Sequence, residues 1–450
     1  MGMKKKMLSA TLCAVMVGSL VAPAFTVQAA DDTLVYWSMW EATEPQGQVI
    51  QEAVDAYTEQ TGVKVDLQFK GRTGNREALQ PALDGGTQID IFDEDIDRVN
   101  GMYGKYLLDL EDLAKENDYE ATANAGLMAA CRDAGGGTLK TIPYQPNVFA
   151  FFYNKDLFEQ AGIEEVPTTF DQWTEAAEKI SALSTAENPI YGSGLFYCYN
   201  GQNQSVIQRF GTDYMITGNE EDGFEANLLD NQAFADAMIW MKNLYDNGYN
   251  PQETDIDSMM AAGQIGLMTN GGWLKGTLDA SGINYGIASL PTVTGEDQKE
   301  YALGDMSSFM ITTSATDETA KAAEEFINWW MTGTGLEACE TTQDVDYSNV
   351  TPNAEWSISM CYLNAYLPTV NSKEYQAVDV LVDLTPSETA QVQMFTAPGT
   401  LFYSDAASCQ GDYVQDWVFN GPTDPTYDDV QDFFADYQAD LEDYIADYYD

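Results

Sequence analysis

The sequence predicts an α/β protein long enough for two lobes. Strand-patterned and helix-patterned segments alternate over residues 33–92, the order that builds a mostly parallel sheet wrapped by helices. About 420 of the 450 residues lie beyond an export-type N-terminus, too many for one ordinary core and suited to two of similar size. With 44% hydrophobic and 12% aromatic residues, the composition is globular.

The elements follow in chain order. Lys4, Lys5 and Lys6 precede an apolar run, Met7 to Ala22, which Pro23 breaks. Small residues at Ala29 and Ala30 complete the pattern of a signal peptide over 1–30, cleaved after one of those two. The run is short for a membrane span. Cys13 lies inside it behind Leu12, so no lipid anchor is expected, and the protein is expected to be periplasmic or extracellular.

Thr33 to Trp37 reads as a strand, and Val49 to Gln60 as a helix with apolar Val49, Ile50, Ala53, Val54 and Tyr57 on one face. Gly62 stops that helix, and Val63, Val65, Leu67 and Phe69 alternate as in a half-buried strand. A helix near Arg76–Leu83 leads to the strand Ile89–Phe92. A second unit opens with the strand Val148–Tyr153, followed by helices near Lys155–Ala161 and Phe170–Leu183, the latter capped by Thr169. The pattern continues with helix Asn231–Asn247, strands Ile265–Met268, Tyr285–Ala288 and Ser308–Thr312, and helix Ala320–Met331. From Asp424 the last 27 residues hold ten acids and no base. Phe433, Phe434, Tyr437, Leu441, Tyr444 and Tyr448 recur there at helical spacing, predicting an acidic amphipathic helix packed on the body.

Charge excludes whole classes of partner. The chain holds 72 acids and 20 bases, and without the three signal lysines the net charge is −55. Nucleic acid and anionic membrane surfaces need clustered Lys and Arg and are not expected partners. Self-repulsion at this charge calls for screening, so a salty or cation-rich habitat is expected. Histidine is absent, and Cys131, Cys198, Cys339, Cys361 and Cys409 form no Cys-x-x-Cys pair, so no zinc site is expected. Cys339 and Cys361 are the nearest pair for a disulfide, and the odd count leaves at least one thiol free.

Several stretches carry a resemblance. They are Ile142-Pro-Tyr-Gln-Pro-Asn147 running into Phe152-Tyr-Asn-Lys-Asp-Leu-Phe158, Ala161-Gly-Ile, Pro167-Thr-Thr-Phe-Asp-Gln-Trp173, Gly263-Gln-Ile-Gly-Leu-Met268 with Gly271-Gly-Trp273, and Tyr285-Gly-Ile-Ala-Ser-Leu-Pro291. Ser308-Phe-Met-Ile, Ala322 to Trp330 and Tyr106-Leu-Leu-Asp-Leu110 complete the set. In this order they resemble the family of extracellular solute-binding proteins that includes the maltose-binding protein, over residues 33–355.

That resemblance implies a two-lobed periplasmic-binding-protein-like fold of type II, each lobe a mostly parallel sheet flanked by helices. An N-terminal lobe of 31–145 with 302–350 and a C-terminal lobe of 146–301 with 351–450 would be joined by a hinge. It also implies a monomer that captures a small-molecule ligand, a carbohydrate, for the permease subunits of an ABC importer, with no cofactor. Closure would follow from contacts made only when both lobes meet the ligand.

A sugar needs aromatic faces for its C–H patches and amides or carboxylates for its hydroxyls. Trp40 and Glu41 follow the first strand, where a ligand site is expected, while Trp37 reads as core. Trp273 matches the family's cleft tryptophan. Asp95 and Asp97, in the run Asp93-Glu-Asp-Ile-Asp97, are either ligand contacts or solvated charge. The run mimics a calcium loop, but Arg98 replaces its turn glycine and Gly104 its terminal glutamate. Gln145 and Asn147 sit at the crossing between lobes. Tyr197 and Tyr199, with Phe196, form an aromatic patch, one member of which would stack on ligand. Asp305 and Phe402 complete the candidates, and Tyr403 is a further guess from position.

Three alternatives stay open. A phosphorylated or carboxylated solute would need cationic anchors, for which Arg98 and Arg209 are the few candidates. A polyamine or other cationic solute would suit Asp93, Asp95 and Glu41 with Trp40 and Trp273. A secreted glycoside hydrolase would need an acid/base pair, but no nucleophile elbow, metal-ligand spacing or histidine base is present.

Overall fold

Strands β1 (Leu34–Ser38), β2 (Val65–Phe69), β3 (Ile91–Asp95) and β4 (Ile142–Asn147) build a first sheet together with β12 (Asp305–Ile311). A second sheet holds β5 (Phe149–Asn154), β6 (Tyr191–Gly194), β9 (Ile265–Gly271) and β10 (Tyr285–Ala288). Short pairs join β7 (Ile216–Asn219) to β8 (Gly223–Ala226) and β11 (Ala302–Leu303) to β13 (Gln393–Met394). The computed structural model describes residues 33–212, 215–219, 223–252, 255–296, 302–303, 305–336, 350–385, 393–394 and 403–449.

The first sheet has the order β2-β1-β3-β12-β4, the second β10-β5-β9-β6. Each contains one reversed strand. β12 runs antiparallel to β3 and β4, and β5 antiparallel to β10 and β9. These two strands follow the passages between sheets. Val148 alone separates β4 from β5, so the chain changes sheet within one residue.

Along β5 the side chains alternate. Phe149 and Phe151 enter one core and Ala150 and Phe152 the other, as the two-residue period of a strand requires.

Helices α1 (Pro45–Thr61) and α2 (Gly71–Asp84) begin four and five residues before the expected starts. Pro45 opens α1 because its missing N–H is an unpaired position of any helix start. The first turn of α2 is polar and carries no apolar period to read. Thr169 caps Phe170–Ser181 with a reciprocal box to Gln172, as expected.

Three further expectations change. Strand β3 runs through Asp95 and does not end at Phe92, so Asp93 and Glu94 are fully buried. The C-terminal helix is two helices, Tyr427–Phe433 and Ala435–Tyr449, which bury Val430, Phe434, Tyr437 and Leu441 on the second core. Residues 351–450 do not all lie with the second sheet. Helix Pro352–Met360 packs on α1 and on the helix Asp317–Thr332, whereas Asp379–Leu384 packs on β10 of the second sheet. Trp356, Leu363 and Leu381 join the first core, which also takes in Phe152 and Met268 of the second sheet. Val414, Trp417 and Leu441 join the second.

Cys131, Cys198 and Cys361 are free thiols; Cys339 and the side chain of Cys409 lie outside the described residues.

Candidate ligand cleft

The C-terminal ends of β1, β3 and β4 point to one edge of the first sheet, where open α/β sheets hold ligands. Trp40 sits just past β1 with 5% exposure. Its ring meets Trp356 edge-on at 5.4 Å, and its Nε1 donates to the Tyr144 hydroxyl at 3.4 Å. Tyr144 in turn meets Trp356 at 5.4 Å. The Arg72 guanidinium, from the first turn of α2, lies over the Trp40 ring at 4.7 Å. Gln46 Nε2 donates to the Tyr362 hydroxyl at 2.9 Å, drawing the segment after Pro352–Met360 onto this wall.

Beneath the aromatics lies a cluster of buried carboxylates met by two part-exposed arginines. Arg72 and Arg76 donate to Asp95 at 2.6 and 3.1 Å, and Arg76 reaches Glu94 at 3.3 Å. Ser307 Oγ adds a bond to Asp95 at 3.0 Å. Asp93 accepts from the Tyr36 hydroxyl and, at 2.9 Å, from the Met39 N–H. Burial pushes the Asp93 carboxyl up to about 7, against the opposing bonds from Tyr36, Met39 and Ser38. Burial also raises Glu94, with the Asp95 charge adding to it. For Asp95 burial acts upward as well, but Arg72 and Arg76 outweigh it and hold the carboxyl low.

The second wall belongs to β9 and its neighbours. Trp273 and Tyr199 both brace edge-on against Phe149, at 5.6 and 5.8 Å. The indole of Trp273 lies flat on Gly271, where any Cβ would collide with the ring. Phe196, Tyr199, Gln202, Asp255, Ile256, Asp257, Asn270 and Trp273 line a cavity of about 320 Å³. The walls meet at Gly272, where a Cβ would stand 2.5 Å from the Cys361 carbonyl oxygen.

The predicted residues distribute unevenly. Trp40 and Gln145 share the first wall, joined through Tyr144 and Trp356. Tyr199 and Trp273 share the second. Glu41 is exposed, its carboxylate against Gly71 at the start of α2. The backbones of Asn147 and Asp305 stand opposite each other across β4 and β12.

Asp95 is neither solvated nor open: its burial is compensated by two arginines, which are the exposed groups of this cluster, with 39% of the Arg72 side chain and 32% of the Arg76 side chain accessible. Tyr197 is a core residue, with its hydroxyl on the Met241 carbonyl at 3.2 Å and its ring on Phe419 at 6.0 Å. Asp97 falls in the short turn Ile96–Arg98, its side chain outside the described residues, as are Phe402 and the side chains of Asn147, Asp305 and Tyr403.

Sequence reasoning missed Arg72, Tyr144, Trp356, Tyr362, Asp255 and Asp257. Tyr144 stood inside a motif already quoted for its amides. Trp356 and Tyr362 lie where the family likeness fades.

The two sheets, their order and the passages between them define the two-lobed class of solute-binding protein. The chain belongs to the family of bacterial extracellular solute-binding proteins, whose family model matches residues 52–360. It is 24% identical over 331 residues to the sn-glycerol-3-phosphate-binding periplasmic protein of Rhizobium meliloti, covering 70% of this chain and 74% of that one. It is 26% identical over 300 residues to a maltotriose-binding protein of Pyrococcus abyssi, 65% of this chain and 62% of that one. Further glycerol-3-phosphate-binding relatives from Brucella and Agrobacterium are covered over 56–60% of their own length. Among solved structures, UgpB from Mycobacterium tuberculosis in complex with glycerophosphocholine superposes with a TM-score of 0.70 at 18% identity, over 94% of this chain and all of that one.

Proposed function

We propose that this chain is the extracytoplasmic binding component of an ABC importer. It captures a sugar or oligosaccharide between its lobes and hands it to the membrane permease. The observation that carries the reading is Trp273. It is 36% exposed and, among the described residues, shares that standing only with Val293 as a large apolar side chain. A rigid indole face, braced by Phe149 and seated on Gly271, suits the C–H face of a pyranose. The maltotriose-binding relative supports the same ligand class.

In this reading the signal peptide of 1–30 is removed and the protein acts as a monomer that binds without turnover. The first lobe comprises 31–145 and 302–350, and we add to it the helix Pro352–Met360, whose packing on α1 supports that placement. The second comprises 146–301 with the C-terminal helices.

A second reading, a glycerol phosphodiester, draws on the part-exposed Arg72 and on the glycerol-3-phosphate-binding relatives. Against it stands the ion pair with Asp95, which already engages the Arg72 guanidinium. Calorimetry with maltotriose, cellotriose, glycerol 3-phosphate and glycerophosphocholine separates the two. Micromolar binding of an oligosaccharide supports the sugar reading, binding of the phosphoesters alone replaces it, and turnover of a chromogenic glycoside overturns both.

A further inference from the structure

The acids on the two walls differ in their counter-charge. On the first wall Asp95 is paired with two arginines. On the second, Asp255 and Asp257 accept only neutral hydrogen bonds among the described residues, from the Ser258 N–H at 3.2 Å and from Asn270 Nδ2 at 2.7 Å. Neither Lys nor Arg is among the described residues lining the cavity, and no described ion pair reaches Asp255 or Asp257.

The other polar groups of this cavity are committed internally. Gln202 Oε1 accepts from the Phe196 N–H at 2.8 Å, and its Nε2 donates to the Thr269 carbonyl at 2.6 Å. Asn270 Oδ1 accepts from the Gly271 N–H at 2.8 Å, and its Nδ2 donates to Asp257 Oδ1 at 2.7 Å. What remains uncommitted among these lining residues is the second oxygen of each carboxylate, Asp255 Oδ1 being taken by the Ser258 N–H and Asp257 Oδ1 by Asn270, together with three aromatic rings. Phe149 fixes two of those rings, Tyr199 and Trp273, in place.

Carboxylate acceptors beside ring faces, with no cationic neighbour, match a protonated amine by charge-assisted hydrogen bonds and cation–π attraction together. A phosphate meets only repulsion there. Burial raises the Asp257 carboxyl, opposed by the Asn270 bond and reinforced by the Asp255 charge. A cation in the cavity removes that penalty.

We infer that this second-lobe cavity is an ammonium subsite. Asp255 and Asp257, with the faces of Phe196, Tyr199 and Trp273, receive the protonated amine of the solute, and the ligand is an amine-bearing sugar. This rests on the reading of the cleft as a carbohydrate site, and it moves the cationic recognition first sought at Asp93 and Asp95 to the opposite wall.

The test is calorimetry on the processed protein with the glucosamine trisaccharide, its N-acetylated counterpart and maltotriose, at low and high salt. The aminated sugar should bind about tenfold tighter than either neutral one, the size of a desolvated cation–π and charge contact. Asp257→Asn should bring the three toward parity. Asp255→Asn, at an exposed position where Asn still caps the helix, should narrow the preference and guards against a folding defect in the first variant. Asp432→Asn removes the same charge from the exposed C-terminal helix and should leave the preference intact, which separates the cavity from the general pull of an acidic protein.

Neutral sugars binding as tightly as the aminated one overturn the inference and leave the carbohydrate reading standing. Equal loss in Asp257→Asn and Asp432→Asn also overturns it. Failure of every sugar to bind overturns both.

Discussion

The indole N–H of Trp356 donates to Oε1 of Gln145 at 2.7 Å, between residues 211 positions apart and both buried. This bond ties the late segment to β4, the strand that leads into the passage between sheets. It holds Trp356 beside Trp40 and Tyr144 on the first wall of the cleft.

Trp356→Phe tests that tie. Packing against Trp40 and Tyr144 is largely kept, while the Gln145 oxygen loses a buried donor. The expected loss is about 1–3 kcal/mol in urea unfolding. A midpoint unchanged from wild type would show that the bond contributes nothing.

Trp273→Ala should act on binding more than on the fold. Its ring is 36% exposed, so the thermal midpoint should fall only through the lost contact with Phe149. Loss of an aromatic stacking face should weaken sugar affinity by about 1 kcal/mol or more. An unaltered dissociation constant would remove Trp273 from the site.

Asp93 gives the protein a pH dependence of definite sign. Its folded pKa, about 7, lies above the ordinary 3.8. Between those values the folded chain holds a proton that the unfolded chain has lost, so stability falls as pH rises through this window and levels off above it. At ~1.4 kcal/mol per pKa unit the full effect is at most about 4 kcal/mol. Asp93→Asn should flatten this slope in urea titrations run across the same pH range; a slope as steep as wild type would refute it.

Salt should stabilise the protein. With a net charge of −55 after processing, the thermal midpoint is expected to rise between low and molar NaCl as repulsion is screened. A flat or falling midpoint would mean that the acidity is not a stability burden.

Gly272→Ala should disturb the meeting of the walls. Its Cβ would press on the Cys361 carbonyl at 2.5 Å, costing about 1–3 kcal/mol. Differential hydrogen exchange should localise the change to residues near 272 and 361 and nowhere in the C-terminal helices.

The sequence by itself determined the strands and helices with a clear apolar period, because period and turn chemistry are local, while Tyr191–Gly194, Asn200–Arg209, Pro352–Met360 and Tyr403–Asn420 went unread. The two-lobed plan came from chain length and the family likeness. It also determined Trp40 and Trp273 as aromatics next to strand ends. Charge was harder to read. The run Asp93-Glu-Asp95 looks solvated in one dimension, and only the tertiary structure brings Arg72, Arg76, Tyr36 and Ser307 around it and makes burial tolerable. The same holds for Tyr197, whose place in the core depends on Met241 and Phe419, and for Trp356, which finds Gln145 across half the chain. Asp255 and Asp257 stand out for a complementary reason. Among 72 acids no local pattern marks two as facing a cavity without a counter-charge, since that is a property of what the fold leaves beside them.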